Sequence, residues 1–215
     1  MFIVIDGIDG CGKSTQVKML TELYGKMGKQ LVTSKWKDSE YVEKMFIGDL
    51  LKRFQDGTVK IPPEARTFLL AADISNRLEA SIKPSLKKGL AVLGDRYIYK
   101  IVAQGVARGL DKAWLDNLFS FAIAPDVAIF LDVDPAVAAD RICAYREISF
   151  YEAGMDVMPA ADRQKNFTEF QTRVRRNLLD IAEQIGALVL DASGPPEAQH
   201  AQIVAHIEKS GGKLR

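Results

Sequence analysis

The sequence FIVIDGIDGCGKS, residues 2–14, decides the fold of this 215-residue chain. Its first four residues are all apolar, as expected of a strand that is buried on both faces of a parallel sheet. The eight residues from Gly7 to Ser14 then match the pattern G-x-x-x-x-G-K-[ST] without a gap. Helical sequence follows from Lys13 to about Met27. A strand, a glycine-rich turn and a helix in this order predict a phosphate-binding P-loop.

Each part of this loop has a physical task in holding a nucleotide. The glycines Gly7, Gly10 and Gly12 let the backbone curl so that several N–H groups point at phosphate oxygens. The helix that begins at Lys13 directs the positive end of its dipole at the same anion. Lys13 is expected to reach the β- and γ-phosphates, and the Ser14 hydroxyl is expected to bind Mg²⁺.

Four further apolar segments alternate with helical patterns along the rest of the chain. The segments predicted as strands are residues 31–34, 90–93, 127–133 and 187–190, and residues 39–54 and 63–86 are among the predicted helices. This alternation predicts an α/β protein of the P-loop NTPase fold, with a five-stranded parallel sheet and helices on both faces. Without repeats or a linker, residues 1–215 are expected to form one kinase domain, with a polar loop at 146–158.

Composition excludes several classes of protein. Lys and Arg total 29 against 28 Asp and Glu, so the net charge of +1 gives no drive toward nucleic acid or an anionic membrane. Two cysteines, Cys11 and Cys143, are too few for a disulfide scaffold. The N-terminus lacks the basic residues of a signal peptide, and no apolar run approaches the roughly 20 residues of a membrane-spanning helix. A cytoplasmic protein is expected.

The residues that follow the third strand favour a small-molecule kinase. A GTPase would need an N-K-x-D sequence to read guanine, and none is present. Asp95 ends a strand beside the P-loop strand, where its carboxylate is expected to hold Mg²⁺ through water. Arg96 follows it and is expected to grip the acceptor's phosphate with two hydrogen bonds. A structural ion pair at the strand end is the alternative for these two residues.

Four blocks of sequence resemble the thymidylate kinase family and together cover nearly the whole chain. They are the P-loop stretch through Gln16, residues 95–111, residues 125–135, and residues 190–197. In that family the γ-phosphoryl group of ATP passes to the 5′-phosphate of dTMP, with Mg²⁺, usually in a homodimer. The resemblance therefore implies ATP and a nucleoside monophosphate as substrates, Mg²⁺ as cofactor and a second copy of the chain as partner.

The resemblance also implies roles for individual residues. The catalytic set is Lys13, Asp95, Arg96 and Arg146, with Arg146 in a lid segment at about residues 141–158. The ATP and phosphate side is Gly7, Asp9, Gly10, Cys11, Gly12, Lys13, Ser14, Thr15 and Arg141. The acceptor side is Asp9, Lys35, Trp36, Leu70, Asp73, Arg96, Lys100, Gln104 and Tyr151. Ser14 and Asp95 are the expected Mg²⁺ ligands.

The departures from the family pattern cluster on the acceptor side. Lys35 and Trp36 stand where the family has the arginine of R-E-P-G-G, and a lysine is a point charge without a bidentate fork. Leu70 and Ile74 replace the phenylalanine that stacks on thymine and the arginine that reads it. Phe68 and Arg77 lie one turn away as possible substitutes, although Phe68 is equally suited to the core.

Three hypotheses remain open from the sequence. The first is a dTMP kinase. The second is a kinase of the same family whose rebuilt pocket, with Lys100 among its changes, accepts another phosphorylated nucleoside or metabolite. The third is a catalytically silent ATP-binding regulatory protein, against which the intact Lys13, Ser14, Asp95 and Arg96 argue.

Overall fold

The computed structural model describes residues 1–35, 52–54, 56–159 and 161–211. Within these ranges five strands form one parallel sheet in the order β2-β3-β1-β4-β5. The strands are β1 (Phe2–Gly7), β2 (Leu31–Lys35), β3 (Ala91–Asp95), β4 (Val127–Asp132) and β5 (Leu188–Asp191). This all-parallel sheet with helices around it confirms the predicted fold class.

Helices connect the strands, and an aspartate caps the start of several of them. They are α1 (Lys13–Lys26), α2 (Pro63–Arg77), α3 (Lys83–Lys87), α4 (Ile98–Ala107), α5 (Lys112–Leu118), α6 (Pro135–Cys143), α7 (Arg163–Ile185) and α8 (Pro196–Lys209). The side chains of Asp111, Asp134 and Asp162 accept hydrogen bonds from the first turns of α5, α6 and α7. Gly186 ends α7 in the left-handed conformation, with φ of 64°. Most of the helix predicted at 39–54 lies outside the described residues.

The central strand β1 places the P-loop in the middle of the sheet edge. Its residues 2–5 are at most 1% exposed, since strands lie on both sides and helices cover both faces. Ile5 is in register with Asp95 of β3, and Gly7 with Leu131 of β4. The carboxyl ends of three adjacent strands therefore meet at one edge, which is where open α/β sheets bind ligands.

Two strands run further than their apolar residues predict. The predicted third strand stops at residue 93, whereas β3 continues to Asp95 because Gly94 and Asp95 still pair with β1 and β2. In the same way β1 continues to Gly7 through its pairing with β4. Ladder hydrogen bonds, rather than hydrophobic patterning, set these ends, and they bring Asp95 into the sheet beside the P-loop.

A proline interrupts the end of the long helix that the sequence predicts at 63–86. A π-helical turn, Leu78–Ile82, separates α2 from α3, and Pro84 lies in the first turn of α3. Proline has no N–H to continue the i to i−4 ladder, so the backbone widens just before it. The α-helical part, α2, therefore ends at Arg77, whose side chain donates hydrogen bonds to the carbonyls of Ser34 and Arg96.

The segment expected as a polar loop at 146–158 has two parts. Residues 143–147 are exposed, and Tyr145 is 91% exposed. Ile148, Tyr151 and Ala153 are instead buried. Asn166 of α7 donates to the Ala153 carbonyl at 2.6 Å, which fixes the second part to the core. Its apolar side chains, hidden in a polar sequence, account for the difference from the prediction.

Candidate active site

The P-loop has a backbone that only glycine adopts without strain at three positions. Gly7, Gly10 and Gly12 have φ of 147°, 81° and 100°. A Cβ at Gly7 would lie 2.5 Å from the Leu131 carbonyl oxygen, and one at Gly10 would lie 2.5 Å from that of Ala138. The loop therefore packs tightly against β4 and α6 while its backbone curls.

Lys13 spans the interior of the loop. Its Nζ donates to the carbonyl oxygens of Gly7 at 2.9 Å and Ile8 at 2.6 Å, and it lies 3.5 Å from Cys11 Sγ. Ser14 and Thr15 follow on the first turn of α1 and are exposed. The ammonium group and the N-terminus of α1 thus concentrate positive potential within the loop.

Asp9, inside the P-loop sequence, is the centre of a buried charge cluster. Its Oδ1 lies 2.5 Å from Lys100 Nζ of α4 and 3.5 Å from Arg96 Nη2. Gln171 of α7 donates to its Oδ2 at 3.5 Å. Asp9 and Lys100 are at most 5% exposed, whereas the Arg96 side chain is 51% exposed. The structure therefore brings together the predicted residues Asp9, Arg96 and Lys100.

The cluster shifts the pKa values of both Asp9 and Lys100. Burial opposes the charge on Asp9, but Lys100, Arg96 and Lys13 outweigh it and lower the pKa of that carboxyl. Burial lowers the pKa of Lys100 to about 8, against the opposing effect of Asp9 and with the added repulsion of Lys13 and Arg96. The site thus has an excess of positive charge, as expected where phosphate groups bind.

Asp6 supports the loop from below, a position that the sequence analysis did not single out. It is fully buried and accepts hydrogen bonds from the backbone N–H of Gly7 at 2.9 Å and of Lys100 at 3.1 Å. Burial raises the pKa of this carboxyl. The available signal was an acidic residue at the end of an otherwise apolar strand, since such a group needs buried donors.

Arg96 has a strained backbone held by a buried ion pair. Its φ of 65° is the only positive value at a non-glycine residue in the described ranges. Arg77 of α2 donates to the Arg96 carbonyl at 3.2 Å and to the Ser34 carbonyl at 3.3 Å. Asp73 holds Arg77 with an Oδ2–Nε distance of 2.9 Å, and both side chains are at most 6% exposed. Asp73 and Arg77 therefore position the ends of β2 and β3.

The other residues of α2 that the sequence relates to the acceptor base are two buried aliphatic residues and one exposed aromatic residue. Leu70 and Ile74 are 2% and 0% exposed. Phe68 is 53% exposed and packs edge-on against Trp114, with the ring centroids 5.5 Å apart. Phe68 is therefore not a core residue, which corrects that expectation, while its role as a substitute for the stacking aromatic stays a prediction. The even mix of polar and apolar residues along α2 concealed which face is buried.

The lid arginines have different partners. Arg146 makes a two-pronged ion pair with Glu152, both N–O distances being 2.8 Å. Arg141 donates to the Ser193 carbonyl at 3.1 Å, which places it against the loop that follows β5. Arg146 is thus bound within its own segment, while Arg141 contacts the loop that follows β5.

The side chain of Tyr151 packs against two arginines. Its buried ring lies between two guanidinium groups, that of Arg66 at 3.8 Å and that of Arg108 at 3.6 Å. Asp156 pairs with Arg108 at 2.8 Å, and the buried Gln104 accepts from Arg108 through its carbonyl. Sequence reasoning missed Arg66 and Arg108, because long-range stacking leaves no local pattern.

Lys35 and Asp95 lie side by side at the sheet edge. Lys35 ends β2 and Asp95 ends β3, where the two residues are in register and half-buried. The predicted acceptor residue Trp36 lies outside the described residues. No group of three or more His, Cys, Asp or Glu side chains that suits a metal ion occurs in the described part of the chain. The Asp95 carboxylate and the Ser14 hydroxyl are hard oxygen donors, which suit Mg²⁺ bound mainly by phosphates and water.

Comparison with known proteins agrees with this geometry. The model of the family described as thymidylate kinase matches residues 5–203. A protein named "Probable thymidylate kinase" from Thermococcus kodakarensis is 35% identical over 212 residues, covering 97% of each chain. "Probable thymidylate kinase 2" from Saccharolobus solfataricus is 33% identical over 91% of this chain and 89% of its own. A "Thymidylate kinase" from Prosthecochloris aestuarii is 32% identical over 100% and 96% of the two chains.

Proposed function

Because the chain belongs to the thymidylate kinase family, we propose that it transfers the γ-phosphoryl group of ATP to the 5′-phosphate of dTMP, giving dTDP and ADP. The observation that carries this proposal is the Asp9–Lys100–Arg96 cluster beside the P-loop. Cations that converge from β3 and α4 on the P-loop offer a second phosphate site within reach of the first. Nothing in the relatives favours a silent regulatory protein or another acceptor.

On the ATP side, the P-loop backbone and the N-terminus of α1 bind the phosphates. Lys13 would exchange its bonds to the Gly7 and Ile8 carbonyls for the β- and γ-phosphate oxygens. Ser14 and Asp95 would hold Mg²⁺, which supplies positive charge to the phosphate oxygens when it is bound. Arg141, held at the Ser193 carbonyl, would border the nucleotide on its adenine side.

On the acceptor side, Arg96 and Lys100 would bind the acceptor's phosphate. That phosphate oxygen is already ionised at neutral pH, so transfer needs positioning and charge neutralisation more than a general base. Asp9 would keep the two cations in place and lie near the sugar. Lys35 and Gln104 would complete the polar wall, and Leu70 and Tyr151 the apolar one.

The lid would contribute Arg146 during transfer. In this structure Glu152 holds its guanidinium, so closure would exchange that carboxylate for the oxygens of the transferring phosphoryl group. A positive charge there stabilises the equatorial oxygens of the transition state. Closure of the segment would also exclude water and limit wasteful ATP hydrolysis.

ADP release with a panel of nucleoside monophosphates tests this function. The panel comprises dTMP, dUMP, dCMP, UMP and AMP with a control that lacks an acceptor. We expect strong release with dTMP alone, abolished by Lys13→Ala and reduced at least about 100-fold by Arg146→Ala. The exposed neighbour variant Tyr145→Ala should retain full activity. Release with another acceptor, or none at all, would refute the assignment.

The assembly and the location of the enzyme are part of the proposal. The Phe68 ring on α2, which is 53% exposed and packs against the partly buried Trp114 of α5, supports a homodimer, because a large apolar side chain open to solvent is a candidate contact between subunits. Dependence on ATP and free thiols at Cys11 and Cys143 support a cytoplasmic location, which cell fractionation would test. No described helix is long and apolar enough to cross a membrane.

A further inference from the structure

Arg66 is a buried cation for which the described residues provide no ion pair. It is 8% exposed, and its Nε is buried without a hydrogen-bond partner. The other two buried arginines in the described ranges differ in this respect. Arg77 is paired with Asp73, and Arg108 with Asp156. A buried guanidinium carries a large desolvation cost, so one without such a pair is unusual unless a ligand completes its bonding.

The neighbours of Arg66 fix the plane of its guanidinium. Its Cζ lies 3.8 Å from the centroid of the Tyr151 ring and 5.8 Å from that of Phe54. Stacking on a ring satisfies the face of a guanidinium and leaves its five N–H donors pointing outward in the plane. These donors are the groups that recognise planar partners with oxygen or nitrogen acceptors at their edges.

Contacts through Gln171 connect the surroundings of Arg66 to the cluster around Asp9. Arg66 stacks on Tyr151, and Gln171 donates to the carbonyl of the next residue, Glu152, at 2.8 Å and to Asp9 Oδ2 at 3.5 Å. Arg66 therefore packs on the segment that is joined to the cluster where the acceptor's phosphate is proposed to bind. Burial lowers the pKa of Arg66, and the charge of Asp9 is among those that oppose this effect. Arg108, on the other face of Tyr151, adds repulsion. An electronegative ligand atom would relieve that repulsion.

The sequence of α2 leaves a vacancy that Arg66 can fill. Leu70 and Ile74 stand where the family has its stacking aromatic and its base-reading arginine, and neither has a hydrogen-bond donor. Arg66 lies one helical turn before Leu70, on the same buried face of α2. Besides Arg77, which Asp73 neutralises, α2 therefore carries the guanidinium of Arg66, about two turns before the family's arginine position.

We infer that Arg66 is the specificity-determining residue for the acceptor base, donating to a carbonyl oxygen at the edge of that base. The inference rests on the proposed function and names what the acceptor site reads. Thymine presents a carbonyl at C4, whereas cytosine presents an amino group there, and a guanidinium has donors only. Arg66 would therefore favour dTMP and reject its amino counterpart.

A matched pair of nucleotides tests this role. dTMP and 5-methyl-dCMP have the same sugar, phosphate and methyl group and differ in the hydrogen-bonding edge of the base. Binding of each by titration calorimetry and kcat/KM for each are measured for the native enzyme, Arg66→Met and Arg66→Lys. Methionine preserves the apolar stem, so the fold should survive. Arg173→Met, at an exposed arginine on α7, is the control.

The native enzyme should prefer dTMP, and Arg66→Met should lose about 10- to 100-fold in dTMP affinity and kcat/KM, the size of one bidentate contact to a base. Activity with 5-methyl-dCMP should change little, so the preference should collapse. Arg66→Lys should retain only part of the preference for dTMP, and the KM for ATP should be the same in all variants. If Arg66 had a purely structural role, Arg66→Met would instead lower kcat/KM equally for dTMP and 5-methyl-dCMP.

The two proposals fail in distinguishable ways. If the native enzyme makes dTDP and Arg66→Met keeps the preference for dTMP, the base-reading role is overturned and the kinase activity stands. If dTMP binds with an Arg66-dependent preference but no dTDP forms, the kinase activity is overturned and the base-reading role stands. If dTMP neither binds nor reacts, both are overturned.

Discussion

At the scale of single residues, the site is defined by how its cations are distributed around Asp9. Lys100 and Arg96 both contact this carboxylate, but Lys100 is buried and Arg96 is half exposed. The Lys100 ammonium is buried together with the Asp9 carboxylate, whereas about half of the Arg96 side chain is open to solvent. Arg96 is therefore better placed to meet the incoming phosphate, and Lys100 to set the potential beneath it.

Replacing Arg96 should affect the acceptor far more than ATP. Arg96→Ala is expected to lower the acceptor's kcat/KM about 100- to 1,000-fold, because a preorganised cation at the transferring group is lost. The dissociation constant of ATP should change by less than about threefold, since the P-loop is untouched. Steady-state kinetics and ATP titration check this, with Arg173→Ala as the control. An equal loss of ATP affinity would contradict the role.

The low pKa of Lys100 predicts a pH dependence. Its value of about 8 means that the ammonium loses its proton, and thus its positive charge, as pH rises through 8. The acceptor's kcat/KM at saturating ATP, which reports the enzyme that has ATP but no acceptor bound, should therefore fall above that pH, approaching about tenfold per unit. Lys100→Arg should remove the fall, because arginine stays charged. Lys100→Met should be weak at every pH.

Rate measurements between about pH 6 and pH 10 distinguish these variants. The ATP concentration is kept saturating, so that only acceptor capture is followed. A native profile that is flat through pH 8, or the same fall in Lys100→Arg, would show that another group titrates.

At the scale of secondary structure, α2 is coupled to the ends of β2 and β3 through Arg77. This residue binds the carbonyls of Ser34 and Arg96 while Asp73 neutralises it. The helix thereby holds the strained backbone of Arg96, whose φ of 65° would otherwise relax. The backbone conformation of Arg96 thus depends on the buried Asp73–Arg77 ion pair.

Breaking this pair should lower the free energy of unfolding. Asp73→Ala is expected to cost about 3–5 kcal/mol, since it leaves Arg77 charged, buried and without its carboxylate. The double variant Asp73→Ala/Arg77→Leu should cost less than the sum of the two single variants, because it removes both charges. Urea denaturation measures these values. Strictly additive losses would contradict a coupled pair.

Sequence reasoning predicted the elements well where local rules apply. The P-loop pattern and the apolar strands depend on residues close in sequence. It failed where distant segments meet. The Arg66–Tyr151 stack joins residues 85 positions apart along the chain. The strained backbone of Arg96 depends on a hydrogen bond from Arg77 of α2, and no pattern in residues 94–97 indicates that contact.

At the scale of the whole molecule, the exposed ring of Phe68 predicts an assembly. Phe68→Glu is expected to convert a homodimer of twice 23.8 kDa into a monomer, because a charge replaces a 53% exposed ring at the proposed contact. Sedimentation velocity measures this change. Ile185→Glu, which alters an exposed residue at the end of α7, should leave the dimer intact. A native monomer, or an unaffected dimer, would contradict the prediction.

The central claim is that this fold carries a phosphoryl group from ATP to dTMP. The most direct measurement is to supply ATP labelled in its γ-phosphate together with dTMP and to locate the label among the separated products. We predict that it enters the β-phosphate of dTDP in the native enzyme, and that Lys13→Ala abolishes this transfer. Label found only in ATP or inorganic phosphate, while ATP and dTMP are both bound, would contradict the account.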